Sequence, residues 1–351
     1  MSALDRVLTR AAYVARQGPR LAWYLGHGQA TRLIQRRQAD AGDGPSEVNA
    51  TSLPASGAIL DALARLLRTD LENVERGVYP MPGGVDGTLA DMLGRSRAYF
   101  ADLAAIHERR KAGGHQQAAE FEGFESLPRY FRQNFHYQSD GYLSEGSARI
   151  YDTQVEVLFA GAANAMRRQV LVPVADHIRG RDQRRLSLAD IACGTGALLN
   201  FARQAWPRLR LAGVDLSLPY LEEARRRNRA RRHIGYATAN AEALPFADAS
   251  LDIVTDVFLF HELPPKVRRI VAGEIARVLK PGGLLVHMDS LQLGDVASLD
   301  RALEIFPASF HEPYYAGYIR EDLDALFGGA GLRPVAHDPV FVSKRSVYVK
   351  A

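Results

Sequence analysis

The chain of 351 residues is long enough to bury one large core or two smaller ones, and its 47% hydrophobic and 24% charged residues are ordinary for a globular protein. No uninterrupted apolar stretch approaches the roughly 18 to 20 residues of a membrane span, and no signal-peptide pattern is present. The single cysteine, Cys193, excludes an intrachain disulfide and a cysteine-rich metal site. We therefore expect a cytoplasmic protein.

Positive charge is concentrated in residues 1–38, which hold seven arginines and one acid and carry +6, whereas the whole chain carries +4. Apolar residues recur there with the helical period: Leu4, Val7, Leu8, Ala11, Val14 and Ala15. The pattern predicts a helix that ends at Pro19. A basic amphipathic helix of this kind packs on its own protein or lies on an anionic membrane, and its composition also resembles a transit peptide.

The rest of the N-terminal part also favours helices. Residues 39–57 are small and polar and predict a linker, after which helical spacing resumes at Ile59 and continues, with one interruption, to about residue 106. No strand pattern precedes residue 186. We expect residues 1–145 to form a helical extension that serves as a lid, a homodimer interface or a membrane surface, followed by a second domain at 146–351.

Aromatic side chains are dense over residues 130–152. Among them are Tyr130, Phe131, Phe135, His136, Tyr137, Tyr142 and Tyr151. Buried tyrosine and histidine need polar partners, which either the core or a ligand can supply. If the partner is a ligand, His136, Tyr142 and Tyr151 are candidates for contact with a substrate.

From residue 186 the pattern alternates between strands and helices. Strands are predicted at 187–192, 210–215, 234–239, 251–259, 283–289 and 343–349, and one of the helices between them ends in Pro281-Gly282-Gly283. This alternation is typical of an α/β fold, a parallel sheet with helices on both faces. Ligands of such sheets lie at the carboxyl ends of the strands.

The turn after the first of these strands narrows the choice of ligand. A dinucleotide site has the pattern G-x-G-x-x-G, but only Gly194 and Gly196 match, and Leu199 stands at the third position. Asp190 would repel a pyrophosphate and attract the ammonium group of S-adenosylmethionine (SAM). Asp215 ends the second strand and can accept the ribose hydroxyls of either ligand. The turn therefore favours SAM over a nicotinamide dinucleotide.

Four motifs occur in an order that resembles a known family. "LADIACGTG", "LAGVDLS", "ANAEALPF" and "RVLKPGGLLV" look like the successive motifs of class I SAM-dependent methyltransferases, nearest to the ubiquinone and menaquinone biosynthesis branch. The resemblance covers roughly residues 150–351. It implies a Rossmann-like, mostly parallel seven-stranded sheet whose last strand is antiparallel. It also implies SAM as cofactor and S-adenosylhomocysteine as product.

The same resemblance assigns cofactor-binding residues. It implies Asp190, Ala192, Gly194, Thr195 and Gly196 around the methionine end, Asp215 and Leu216 at the ribose, Asn240 and Ala241 at the adenine, and Phe258 at the end of the fourth strand. Many relatives have Asp where this chain has Asn240. Because an amide still offers an acceptor oxygen, we expect binding to persist.

Methyl transfer needs the acceptor aligned with the sulfonium and often needs a base. Polar residues follow the fourth and fifth predicted strands and occur again in a later loop. We take His261, Glu262 and His311 as catalytic candidates, and Asp289, Tyr314 and Tyr315 as substrate-binding candidates. A purely structural role remains open for each of them. Adjacent His and Glu rarely reach one ion, so we expect no metal.

The acceptor class follows partly by elimination. "FLFHELPP" lacks the pattern that resembles amino-methyltransferases of nucleic-acid bases, and the arginine run at 224–233 has no interleaved aromatics. We therefore expect no nucleic acid and a small-molecule acceptor methylated at oxygen, carbon or nitrogen, with a lipid-soluble or aromatic metabolite as one option. The alternative is a protein with this fold that binds SAM or a related nucleoside without turnover.

Overall fold

The computed structural model describes residues 2–40, 56–112, 114, 116–120, 124–231 and 233–351. Within these residues the α-helices are α1 (Ala3–Asp40), α2 (Ser56–Glu75), α3 (Leu89–Ala112), α4 (Glu145–Leu158), α5 (Ala163–Gln169), α6 (Leu171–Ile178), α7 (Ala197–Ala205), α8 (Leu218–Arg227), α9 (Pro265–Val278), α10 (Asp300–Ser309), α11 (Tyr315–Tyr318) and α12 (Leu323–Gly328). The strands are β1 (Ser187–Ile191), β2 (Arg210–Asp215), β3 (Ile234–Thr238), β4 (Leu251–Val257), β5 (Leu279–Ser290), β6 (Leu332–Val340) and β7 (Ser343–Lys350).

The seven strands form one sheet in the order β3-β2-β1-β4-β5-β7-β6. The pairs among β1 to β5 are parallel, and β7 runs antiparallel to both of its neighbours. This topology confirms the predicted α/β fold, a seven-stranded and mostly parallel sheet with an antiparallel last strand. The carboxyl ends of β1, β2 and β4 therefore lie side by side at one edge of the sheet.

The individual strand predictions failed in two places. β6 was not predicted from periodicity, because it is an edge strand that is largely exposed and interrupted by Pro334 and Pro339. β5 begins at Leu279, so Pro281-Gly282-Gly283 lies inside this strand and does not end the preceding helix. Gly282 has a φ of +72°, and the β4–β5 pairing shifts register beside it, which is how the strand accommodates this sequence.

Helices cover both faces of the sheet and create two apolar cores. On one face α2, α5, α6 and α7 pack over residues such as Leu188 and Ile253, and on the other α9 and α12 pack over Val254 and Leu285. Leu66 of α2 belongs to the first of these cores. The N-terminal helices therefore share a core with the sheet, and a domain boundary at residue 145 stays a prediction.

α1 continues through Pro19, so the predicted end of this helix was wrong. A proline inside a helix costs about 3 kcal/mol. Buried polar contacts on both sides hold the helix in one piece: the Tyr13 hydroxyl donates to Asp70 (2.6 Å), and Arg20 donates through Nε to Asp86 (2.8 Å) and through Nη1 to the carbonyl oxygen of Gly161 (2.5 Å).

Two further observations concern the N-terminal part. The linker predicted at 39–57 falls mainly on residues 41–55, which lie outside the described residues, while residues 39–40 and 56–57 belong to helices. None of the described helices is both long and apolar enough to cross a membrane.

Candidate active site

The turn after β1 is built for close approach of backbone to a ligand. Ala192, Gly194 and Gly196 all adopt positive φ angles, of +54°, +52° and +72°. A Cβ atom on Gly196 would come within 2.7 Å of the Asn228 side-chain nitrogen, so glycine is required there. The turn leads directly into α7 and exposes its backbone toward a cavity at the edge of the sheet.

This cavity lies between the carboxyl ends of β1, β2 and β4 and the aromatic segment 130–151, and we call it the cofactor cavity. Ten of the sequence-predicted residues line it: Ala192, Gly194, Asp215, Leu216, Asn240, Ala241, Phe258, Tyr142, Tyr151 and Glu262. Three predicted cofactor residues, Asp190, Thr195 and Gly196, are outside this lining.

Asp215 is positioned to accept hydrogen bonds from a ribose. Its Oδ2 accepts from the backbone nitrogen of Gly194 and its Oδ1 from that of Ser217, both at 2.8 Å. Burial raises the pKa of this carboxyl to about 6, although the backbone hydrogen bonds oppose the shift. Each oxygen retains acceptor capacity toward the cavity, so the carboxylate fits two vicinal hydroxyls.

Asp190 lies beneath the cavity, buried in the sheet, where its Oδ1 accepts from the Thr255 hydroxyl at 2.8 Å. Burial, with contributions from Asp256 and Asp215, raises the pKa of Asp190 to about 8. Asp190 does not line the cavity, so the structure gives it no direct contact with a ligand there. Thr195 holds the turn instead, because its hydroxyl donates to Asp152 at 2.6 Å.

At the opposite end of the cavity, Asn240 contacts two residues to which the sequence analysis gave no role, Tyr130 and Glu242. Asn240 accepts from the backbone nitrogen of Glu242 through Oδ1 and donates to its carboxylate through Nδ2, both at 3.0 Å. Tyr130 donates to the same carboxylate at 2.7 Å. Tyr130 belongs to the aromatic segment, but no spacing rule connects it with Glu242, which lies 112 residues further along.

A second cavity meets the cofactor cavity at Tyr151, Phe258 and Glu262, which line both. We call it the apolar cavity. Apolar side chains form most of its wall: Ile59, Val155, Leu158, Phe159, Leu299, Leu303, Phe306, Phe341 and Val342. Its polar residues are His136, His261, Glu262, Asp289, Ser290 and Tyr315, together with Arg32.

Phe258 stands where the two cavities meet. Its φ of +63° is rare for a bulky residue, and strain of this kind concentrates at functional sites. The ring stacks on Phe159 with centroids 5.5 Å apart. The backbone nitrogen donates to Met288 of β5 at 2.8 Å, which fixes the strained conformation.

His261 and Asp289 form a buried pair at the polar end of the apolar cavity. The two side chains meet at Nδ1 and Oδ1, 2.6 Å apart, and the second Asp289 oxygen accepts from the His261 backbone nitrogen at 3.1 Å. Burial alone would lower the pKa of His261, but the Asp289 charge and hydrogen bond raise it to about 9. His261 is therefore cationic at neutral pH.

Glu262 faces both cavities. The Tyr142 hydroxyl donates to its Oε1 at 2.5 Å, and the same oxygen lies 3.9 Å from Nε2 of His261. Burial raises the pKa of Glu262 to about 7, with the His261 charge acting in the opposite direction. This carboxyl can therefore exchange a proton near neutral pH.

The loop after α10 turns a different residue inward from the one predicted. His311 lines neither cavity; its Nε2 lies 2.7 Å from Oε1 of Gln133, and its carbonyl oxygen accepts from the His136 backbone nitrogen. Its neighbour Glu312, which we did not select, is buried with Oε1 2.9 Å from Nε2 of His136. Sequence adjacency cannot tell which of two neighbouring polar side chains points inward.

The two tyrosines of this loop also differ. Tyr315 lines the apolar cavity and shares a 2.7 Å hydrogen bond with Ser290, whereas Tyr314 lines neither cavity and offers its carbonyl oxygen to Arg268. In the part of the chain that the structure describes, no group of three or more His, Cys, Asp or Glu side chains is arranged to hold a metal ion.

Comparisons with known proteins agree with this arrangement. Residues 188–283 match the family described as methyltransferase domain. A ubiquinone/menaquinone biosynthesis C-methyltransferase of Desulfotalea psychrophila is 33% identical over 140 residues, which cover 40% of this chain and 53% of that protein. A demethylmenaquinone methyltransferase of Thermus thermophilus is 37% identical over 103 residues, which cover 29% of this chain and 46% of that protein. The chain thus spans about half the length of these curated relatives.

Among solved structures, the geranyl diphosphate C-methyltransferase of Streptomyces coelicolor A3(2) is 15% identical with a TM-score of 0.43, covering 57% of this chain and 81% of that chain. The cofactor cavity independently fits SAM, because Asp215 has free acceptor capacity at the ribose position and a second carboxyl group, Glu262, also lines the cavity. Residues 188–283 therefore match the methyltransferase-domain family and are similar in sequence to ubiquinone and menaquinone biosynthesis methyltransferases.

Proposed function

We propose that this protein transfers the methyl group of SAM to a small, largely apolar acceptor that occupies the apolar cavity. One observation carries the proposal: a cavity with mostly apolar walls meets the cofactor cavity at Glu262, beside the buried pair of His261 and Asp289. A protein that only bound SAM would have no use for a second cavity with titratable groups where the two meet.

The residues at this junction divide the chemistry between them. SAM, when bound, supplies a methyl group on a sulfonium. Cationic His261, oriented by Asp289, donates a hydrogen bond to the acceptor and stabilises developing negative charge. Glu262, with a pKa of about 7, takes the proton that the acceptor loses as its bond to the methyl carbon forms. His311 has no part in this scheme, because it lies outside both cavities.

The acceptor has an apolar body and one ionisable group. Most of the cavity wall is hydrocarbon or aromatic, whereas the hydrogen-bonding groups gather at one end around His136, His261 and Tyr315. An aromatic ring with a hydroxyl group and an apolar substituent matches this division. The quinone-related names of the similar proteins agree with that class.

We further propose that the protein works in the cytoplasm, in contact with a membrane through residues 1–38, with a homodimer as the alternative for that segment.

The test is a transfer assay with radiolabelled SAM and a short-chain naphthoquinol, followed by extraction of the label into organic solvent. We expect labelled product from the wild type. Leu303→Arg fills the apolar cavity and should abolish formation of the labelled product, whereas its S-adenosylhomocysteine affinity, measured by calorimetry, should not change. Ile270→Arg, at an exposed site on α9, is the matched control. Cofactor binding without transfer to any member of a phenol, catechol and quinol panel would favour the non-catalytic alternative.

A further inference from the structure

α1 is packed with its polar side inward. The residues it buries are Tyr13, Gln17, Arg20, Tyr24 and His27, and the two tyrosines, the arginine and the histidine hydrogen-bond to partners on the elements beneath. The apolar row predicted from the sequence points the other way. A helix that only completed a core would bury its apolar stripe, so the arrangement is the reverse of an ordinary surface helix.

The exposed row continues over most of the helix. Its large members are Leu4 (67% exposed), Val7 (63%), Leu8 (59%), Val14 (64%), Leu25 (41%) and Leu33 (57%). We call these six residues the apolar row of α1. Leu4, Val7, Leu8 and Val14 form one cluster near the start of α1, and Leu25 and Leu33 follow singly further along the same face. Exposed clusters of large apolar side chains typically mark a surface that binds a partner.

The charges around the row indicate which partner it suits. Arg32, Arg36 and Arg37 are exposed on the last turns of the same helix, and none of them forms an ion pair with a described carboxylate. Three exposed positive charges close together favour an anionic partner over an uncharged one. An anionic lipid surface attracts each such arginine by about 1 kcal/mol and also accepts apolar side chains.

Both α1 and α2 also contribute a residue to the wall of the apolar cavity. Arg32 of α1 and Ile59 of α2 line that cavity, and the residue after each of them, Leu33 and Leu60, is a leucine more than half exposed (57% and 59%). Two exposed leucines therefore directly follow, along the chain, two residues of the cavity wall. A molecule leaving the acyl region of a bilayer would meet the cavity here.

We propose that the apolar row of α1, with Arg32, Arg36 and Arg37, docks on an anionic lipid bilayer, and that the apolar cavity takes its acceptor from that bilayer. The docking itself rests only on the exposed face of α1, whereas the entry of the acceptor rests on the proposed methyl transfer. Deleting α1 would not be a clean test, because Tyr13 and Arg20 hold buried contacts with the rest of the protein.

The test is co-sedimentation of the full chain with phosphatidylglycerol–phosphatidylcholine vesicles and with pure phosphatidylcholine vesicles. We expect binding to the anionic vesicles that weakens with salt, and at least tenfold weaker partition for Leu8→Glu/Val14→Glu and for Arg36→Glu/Arg37→Glu. The matched controls, Ile270→Glu/Val335→Glu and Arg208→Glu/Arg229→Glu, change exposed residues outside α1 and should bind like the wild type.

S-adenosylhomocysteine affinity is measured for each variant and should not change, which shows that the variants are folded. Absence of wild-type binding, or equal binding by all variants, would overturn the proposal. A wild-type dimer that Leu8→Glu/Val14→Glu converts to a monomer, without vesicle binding, would assign the row to a second copy instead. Because vesicle binding needs no turnover, a failure of the proposed methyl transfer would leave this result intact and be seen separately.

Discussion

At the scale of single residues, Asp215 makes the most direct test of the cofactor cavity. Its two oxygens each accept one backbone hydrogen bond and face the cavity with their remaining capacity. We expect Asp215→Ala to weaken S-adenosylhomocysteine binding by about 1.5 to 3 kcal/mol, the usual value of hydrogen bonds to a charged group. Isothermal titration calorimetry measures this directly. Asp176→Ala, on an exposed helix face, is the control, and equal affinity of both variants would contradict the ribose assignment.

Glu262 is the residue on which the proposed proton transfer depends. We expect Glu262→Gln to lower turnover by about 10²- to 10⁴-fold, the usual contribution of general acid–base catalysis. Turnover of the wild type should rise with pH through about 7, since only the ionised carboxylate accepts a proton. That rise should be absent from the residual activity of the variant. A variant that kept the wild-type pH profile would move the base elsewhere.

Site residues could be predicted from sequence where local backbone geometry sets their position. They could not be predicted where side-chain contacts between distant segments set it. Gly194 and Asp215 line the cofactor cavity, as their positions at a turn and a strand end predict, and their contact with the cofactor stays a prediction. Glu312 and Tyr130 were missed because their roles come from contacts between distant segments. For such residues, spacing along the chain contains no information about which side chain turns inward.

At the scale of elements, one buried carboxylate, Asp70 of α2, connects α2 with α1 and α5. Asp70 accepts from Arg168 of α5 through Nε (2.9 Å) and Nη2 (2.6 Å), and also from the hydroxyls of Tyr13 and Tyr79. Removal of one partner of a buried ion pair leaves the other charge uncompensated. We expect Asp70→Ala to lower the free energy of unfolding by about 3 to 5 kcal/mol.

Chemical denaturation followed by circular dichroism measures this loss. Asp61→Ala, on the exposed side of the same helix, should change the free energy of unfolding by less than about 0.5 kcal/mol. If the two variants were equally stable, Asp70 would not be the connection that holds α1, α2 and α5 together.

The same contacts explain why element prediction failed at Pro19. The local rule that proline ends a helix was outweighed by Tyr13 and Arg20, whose partners lie more than 50 residues away. The sheet, by contrast, was predicted well because five of its strands are buried and carry clear apolar runs. β6 lacks such a run, so its pairing with β7 determines its conformation and periodicity could not.

At the scale of the whole molecule, the two cavities concentrate buried acids near one edge of the sheet. Burial raises the pKa of Asp215 to about 6, of Glu262 to about 7 and of Asp190 to about 8. The folded-state pKa values exceed those of the unfolded chain, so the folded protein binds more protons between about pH 4 and 8. The free energy of unfolding of the ligand-free protein should therefore fall as the pH rises through this range.

A ligand that brings positive charge reverses this preference. SAM carries a sulfonium and an ammonium group, which favour the ionised forms of Asp215, Glu262 and Asp190. We therefore expect SAM binding to release protons and its affinity to rise between pH 6 and 8. Calorimetry in buffers of different ionisation enthalpy at pH 7 measures the protons released. Adenosine, which lacks both cationic groups, should release almost none; equal release by the two ligands, or proton uptake with SAM, would show that these acids do not respond to the charge of the cofactor.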